Sequence, residues 1–253
     1  LSTKDESLIS KIGTSVTTVG VGGGGTQSFS EGSASLNLDY QNLAPYYALI
    51  PDRTDWKRPY QKFSGGTQLR YNPGPKTVAK IYAGYDYTSL AFLEDERKTD
   101  LKEDNLYLNG TFRHTTTNGY KLFGGAAFSL LNKRTASALL SGDLYRNKEW
   151  ELHTKVKGEK RYSSFFKWQV GIESMVRGLE DQYTFDFDHK NDITHSINSM
   201  FTTASFTLSD RLTTSVSSRV EYTTANKEWN FLPRLALNYN LKDFYISAIA
   251  GRY

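Results

Sequence analysis

The run KTVAKIYAGYDYTSLA, residues 76–91, alternates without a slip between two kinds of side chain. Ala79, Ile81, Ala83, Tyr85 and Tyr87 fall on one side of an extended chain, and Lys80, Tyr82, Gly84, Asp86 and Thr88 on the other. One side suits lipid and the other suits water. The alternation lasts about ten residues, roughly twice a typical globular strand and the length of a tilted membrane-spanning one.

The pattern recurs on both sides of this run. GSASLNLDYQN sets Ala34, Leu36, Leu38 and Tyr40 against Ser35, Asn37, Asp39 and Gln41. EDNLYLNGTFRH sets Leu106, Leu108 and Phe112 against Tyr107, Asn109, Thr111 and Arg113, and RLTTSVSSRVEY sets Leu212, Val216, Val220 and Tyr222 against Arg211, Thr213, Ser215, Ser217, Arg219 and Glu221. Further strands are expected over 14–21, 62–71, 120–131, 150–160, 166–176, 197–208, 232–240 and 244–251, roughly 12 in all. Tight turns are expected at Asn72 to Pro75, Thr117 to Gly119, Arg161 to Ser164, Ser209 to Arg211 and Leu241 to Asp243, where Pro, Gly, Asn and Asp supply turn chemistry. Long polar loops are expected over 42–61, 93–103, 132–149, 177–194 and 223–231. Short and long connections alternate, as in an up-and-down transmembrane barrel with short periplasmic turns and long external loops. The expectation is an all-β, antiparallel, single-domain barrel segment covering 1–253, in a bacterial outer membrane.

Bulk composition agrees once alternation is taken into account. A chain 38% hydrophobic and 23% charged looks soluble, but a barrel strand gives half its residues to a polar lumen. No run of about 20 apolar residues marks a membrane helix. The 14% aromatic content, with 17 Tyr and 14 Phe but only 2 Met, suits aromatic girdles better than a helical core. A soluble sandwich or lipocalin-like barrel also alternates, but with shorter strands and with Lys and Glu on its outer face. There are no cysteines, hence no disulfide framework or thiolate site, and a net charge of +4 is too mild and dispersed to indicate nucleic acid. LSTKDESLIS at the start is not a signal peptide.

The closing segment, VEYTTANKEWNFLPRLALNYNLKDFYISAIAGRY, resembles a stretch of TonB-dependent receptors, carried by Pro233, Arg234, Leu235, Leu237, Tyr239, Gly251, Arg252 and Tyr253. Residues 43–74 look like the early barrel of such receptors from the Bacteroidota. The resemblance implies a 22-stranded barrel around an N-terminal plug, of which this chain supplies the first half of the wall without the plug or TonB box. It also implies energy-coupled import of a scarce nutrient such as a siderophore, haem, cobalamin or oligosaccharide. Its implied partners are outer-membrane lipid, the TonB energy-transducing complex, a surface lipoprotein and the nutrient. The alternative is a complete barrel of about 12 strands ending at Tyr253 and acting as a passive channel or adhesin.

No residue pattern requires catalysis, a cofactor or a metal. His114, His153, His189 and His195 lack metal-ligand spacing, Asp186 and Asp188 lack the rest of a calcium loop, and Ser141 with His153 is an unordered candidate for acyl hydrolysis. Gly22 to Gly25 lack the Lys-Ser/Thr of a phosphate loop and are expected to form a flexible turn between the first two strands. The most informative charged group is the expected lumen set Arg70, Lys80, Tyr82, Arg113, Lys155, Lys157, Lys167, Arg177, Arg211, Arg219 and Glu221. Such a set hydrates a lumen and pairs with acids, or attracts an anionic ligand. Tyr46, Tyr47, Trp56 and Tyr60 are rings able to stack on a ligand, and Trp56 and Tyr60 equally suit the membrane interface. The ligand-binding candidates are therefore Arg70, Lys80, Tyr82, Arg113, Trp56 and Tyr60.

Overall fold

The structure, a computed structural model, describes residues 9–14, 18–49, 55–94, 97–137, 143–184, 188–241 and 244–252. It is one antiparallel sheet of 13 strands in strict sequence order. The strands are β1 (Ile9–Thr14), β2 (Val19–Phe29), β3 (Gly32–Asn42), β4 (Asp55–Gly74), β5 (Thr77–Glu94), β6 (Arg97–Thr115) and β7 (Tyr120–Ser137), then β8 (Asp143–Arg161), β9 (Phe166–Thr184), β10 (Asp188–Thr207), β11 (Leu212–Thr223), β12 (Glu228–Leu241) and β13 (Phe244–Gly251). One short helix, α1 (Ala44–Leu49), follows β3, and the Asn42 carboxamide oxygen accepts a hydrogen bond from the Ala44 amide as it begins. Among the described residues β1 and β13 have no pairing with each other, so the sheet is open.

Register bears out the two faces. Ile81 pairs with Leu69 and Gly110, and Lys80 with Arg70 and Thr111, so apolar and polar sets each stay on one side. The apolar face has no cover: Ile81 is 56% exposed, Ile172 58% and Met200 61%. A soluble sheet would bury that face, whereas a hydrocarbon bilayer covers it.

The strands also slide past one another. Lys121 pairs with Glu159, yet β8 runs on to Arg161 before turning. Lys167 pairs with Ser205, yet β10 runs on to Thr207; Thr213 pairs with Asn238, yet β12 runs on to Leu241. Turns at one rim that step steadily along the register mean strands tilted to the barrel axis, as closure of a barrel requires.

Three sequence expectations are corrected. Gly22 to Gly25 are not a turn but lie inside β2, which turns at Ser30 and Glu31. The reason is close approach: a Cβ on Gly22 would lie 2.2 Å from Asp39 Oδ1, and one on Gly24 2.2 Å from Asn37 Oδ1. The glycines leave room for the side chains of their register partners. The count of 13 strands agrees with the roughly 12 expected, and the stretch 14–21 contains the end of β1 and the start of β2, with 15–17 outside the described residues.

Second, most of the expected long loops are paired strand. β4 through β10 each carry 18 to 20 residues. At about 3.4 Å per residue that is roughly 60 Å of strand, far beyond an apolar band of about 25 Å even when tilted. Strands this long make hairpins that outreach an apolar band as paired rods. Third, the turn expected at Asn72 to Pro75 lies at Pro75 and Lys76. The turns through Asn118–Gly119 and Ser209 are found where expected, Gly119 taking the left-handed φ of 77° that such a turn needs. The expected turn residues Lys242 and Asp243 lie outside the described residues.

Candidate functional site

Five of the expected lumen cations gather at the short-turn end of the polar face. Arg70 opposes Lys80, and Arg113 sits one row nearer the turns, paired with Val78 and Phe123. With Lys157 and Lys155 they line a cleft of about 440 Å³. Lys157 Nζ lies 4.7 Å over the Phe123 ring, and Arg70 Nε donates to Asn72 Oδ1 at 3.4 Å. Among the described residues no carboxylate lies within salt-bridge distance of Arg70, Lys80, Arg113 or Lys157. Cations held this close without a counter-charge raise a positive potential in a low-dielectric wall.

Most of the other charged members of the expected lumen set are neutralised internally. Glu173 is the hub: His153 Nε2 lies 2.7 Å from Oε1, and Oε2 accepts from Lys155 Nζ at 3.1 Å and Arg219 Nη1 at 2.8 Å. Arg219 Nε also donates to Glu221 at 3.0 Å. Arg177 pairs with Glu151 at 3.0 Å and Lys167 with Glu159 at 3.9 Å. Arg211 stands at the β10–β11 turn, away from the cleft. Sequence reasoning missed Glu173, because only the cross-strand register puts three cations around it.

The six ligand-binding candidates therefore divide. Arg70, Lys80 and Arg113 meet in the cleft. Tyr82 stands one row above Lys80, its ring 5.9 Å from that of Tyr107. Its hydroxyl lies low over the sheet, so that a Cβ on Gly84 would come within 2.8 Å of it. Trp56 and Tyr60 lie at the other end of β4, by α1. Trp56 is not free to stack on both faces, since Tyr47 already stacks on it at 4.0 Å with planes 15° apart, and Phe92 flanks it at 5.5 Å. The Tyr60 carbonyl accepts from the Leu43 amide, tying α1 to β4.

Among the described residues there is no group of three or more His, Asp and Glu placed to hold a metal ion. Ser141 and Asp186 lie outside the described residues, and His153 is engaged with Glu173.

No family model matches this sequence, and no curated protein does. Solved structures do match its fold. The alcaligin outer-membrane receptor FauA from Bordetella pertussis aligns over 97% of this chain and 42% of its own, at 13% identity and a TM-score of 0.70. The ferric enterobactin receptor PfeA from Pseudomonas aeruginosa, solved with enterobactin, aligns over 97% and 43%, at 9% identity and a TM-score of 0.70. The RagAB peptide importer aligns over 88% and 34%, at 8% identity and a TM-score of 0.65. The chain thus spans about two fifths of the length of the first two receptors. Its fold is that of part of an outer-membrane receptor barrel, so the resemblance to TonB-dependent receptors holds at the level of fold.

Proposed function

We propose that this sheet, having the fold of a receptor barrel wall, serves in the outer membrane as part of an energy-coupled importer of a scarce nutrient. The observation that carries the proposal is the sequential 13-stranded sheet, with one polar face and, among the described residues, two unpaired edges. Unpaired backbone groups cost several kcal/mol each in hydrocarbon, so further strands must complete the wall. A complete small channel would have β1 and β13 paired. Coupling to the TonB complex, and contact with any surface lipoprotein, would run through parts of the protein outside this sheet.

The unneutralised cleft favours an anionic cargo or an anionic group on it. In this reading Arg70, Lys80 and Arg113 attract the charge, Tyr82 offers a ring and hydroxyl beside them, and Trp56 and Tyr60 form part of the outer mouth. Siderophore chelates, haem, cobalamin and acidic oligosaccharides all remain within the class. The test is uptake by intact cells carrying the full-length protein, with labelled members of each class, with and without a protonophore. Saturable uptake of one class that stops with the protonophore supports the proposal. Uptake linear in concentration and indifferent to the protonophore supports a passive channel instead.

A further inference from the structure

Three cations stand shoulder to shoulder on the outer surface. Lys102 on β6 pairs in register with Arg134 on β7, which pairs with Arg146 on β8. Directly opposed like charges on neighbouring strands, with Cβ atoms about 5 Å apart, destabilise a sheet unless something neutralises them. Their flanks in the same row are Ser89 on β5 and Gln182 on β9, neither of them acidic.

The nearby carboxylates are committed elsewhere. Asp100, two residues from Lys102 on the same face, is held by the Arg58 guanidinium. Asp104, two residues the other way, accepts from the Tyr85 hydroxyl at 2.6 Å. On the neighbouring row Lys148 lies 3.7 Å from Glu180. Among the described residues none of the three cations has a carboxylate within salt-bridge distance, and Arg134 and Arg146 are exposed.

Height follows from the aromatic residues on the same outward face. Because the strands are tilted, a line of constant depth crosses one register position per strand or so. Trp229 and Tyr222, in ring contact at 5.0 Å, end the short β11–β12 hairpin. Toward β4, Trp150, Tyr87 and Phe63 stand on the same face, as rings of an interfacial girdle would. Lys102, Arg134 and Arg146 lie on the loop side of these rings, where a membrane-spanning wall would meet lipid headgroups.

We propose that Lys102, Arg134 and Arg146 form a strip about 10 Å wide that binds the phosphate groups of an anionic outer-leaflet lipid. The inference rests on the outer-membrane reading above but not on import. The lipid phosphate supplies the counter-charge that the protein withholds, and the paired rods hold the three cations in line before it arrives.

The test uses the full-length protein and the triple substitution Lys102→Gln, Arg134→Gln, Arg146→Gln. Binding of diphosphoryl lipid A in mixed micelles is compared with that of the dephosphorylated lipid and of inorganic phosphate. We expect the triple substitution to weaken diphosphoryl lipid binding about tenfold or more, to leave binding of the dephosphorylated lipid unchanged, and inorganic phosphate to compete poorly. In detergent without anionic lipid, the same substitution should raise thermal stability by relieving repulsion. Unchanged lipid binding by the substituted protein in the outer membrane overturns this inference alone, as does equal binding of free phosphate. A protein absent from the outer-membrane fraction overturns the localisation reading as well.

Discussion

Arg219 on β11 reaches across β10 to Glu173 on β9, its Nη1 2.8 Å from the carboxylate Oε2. On β10 Ser199 pairs with Glu173 and Phe201 with Arg219, so the guanidinium reaches diagonally past the small Ser199, whose hydroxyl donates to the Glu173 carbonyl at 3.4 Å. The contact binds three strands through one carboxylate. Removing the acid leaves Lys155 and Arg219 facing one another beside His153.

Glu173→Gln is therefore expected to destabilise the barrel by roughly 1 to 2 kcal/mol, discounted because its partners are a third or more exposed to lumen water. Ser199→Leu should cost a similar amount by blocking the path of Arg219. The two losses should add to less than their sum, since both break one contact. Urea unfolding in lipid vesicles reads this directly, and full additivity would separate Ser199 from the network.

The lipid face makes a second, sharper contrast between neighbours. Ile81→Arg should cost roughly 2 to 4 kcal/mol, while Lys80→Ala should cost little, because only the first places a charge in hydrocarbon. Equal losses at both sites in the same unfolding assay would remove the assignment of faces.

The two faces were legible in the sequence because hydrocarbon enforces apolar residues at every second position, as at Ile81 and Leu108. The rods were not. Above the membrane both faces meet water, so LNKRTAS and NKEW lose the period-two signal and read as loop, though backbone pairing continues from Ser137 and Asp143 downward. The β2 glycines misled for a related reason: their role is room for Asp39 and Asn37, and that depends on a partner strand chosen by register. The cleft was half legible. Arg70, Lys80 and Arg113 could be assigned to the lumen by parity, but their distance from Trp56 and Tyr60, and the hub at Glu173, depend on which rows align.

Paired rods also resist proteases, which need an extended, unpaired segment. Trypsin added to intact cells should cut slowly after Lys133, Arg134 and Arg146, all within the paired β7–β8 hairpin, and should spare Lys76 at the periplasmic turn. Mass spectrometry of released peptides measures this. Rapid cleavage at Lys76 with the β7–β8 hairpin intact would invert the topology.

The rods carry one measurable ionisation. Tyr145, in β8 above the girdle, has its phenol pushed up to about 12, chiefly by burial and then by donating to Asp181 at 3.0 Å. A tyrosine with a raised folded pKa contributes stability that is complete below its unfolded value near 10 and is lost as pH climbs toward 12. Ultraviolet difference titration against Tyr145→Phe should show the loss of one phenol that ionises well above 10. Ionisation near 10 would mean that the contact with Asp181 does not form.

The most direct test of the account concerns the open edges. Among the described residues β1 and β13 each present a row of unpaired backbone groups, and such an edge does not persist in hydrocarbon. Residues 1–253 produced alone and refolded in detergent should therefore give no monomer that shifts mobility on unheated gels, while the full-length protein does. If the isolated chain instead shifts mobility, resists protease and conducts ions in a planar bilayer, the partial-barrel account is contradicted and a complete small channel takes its place.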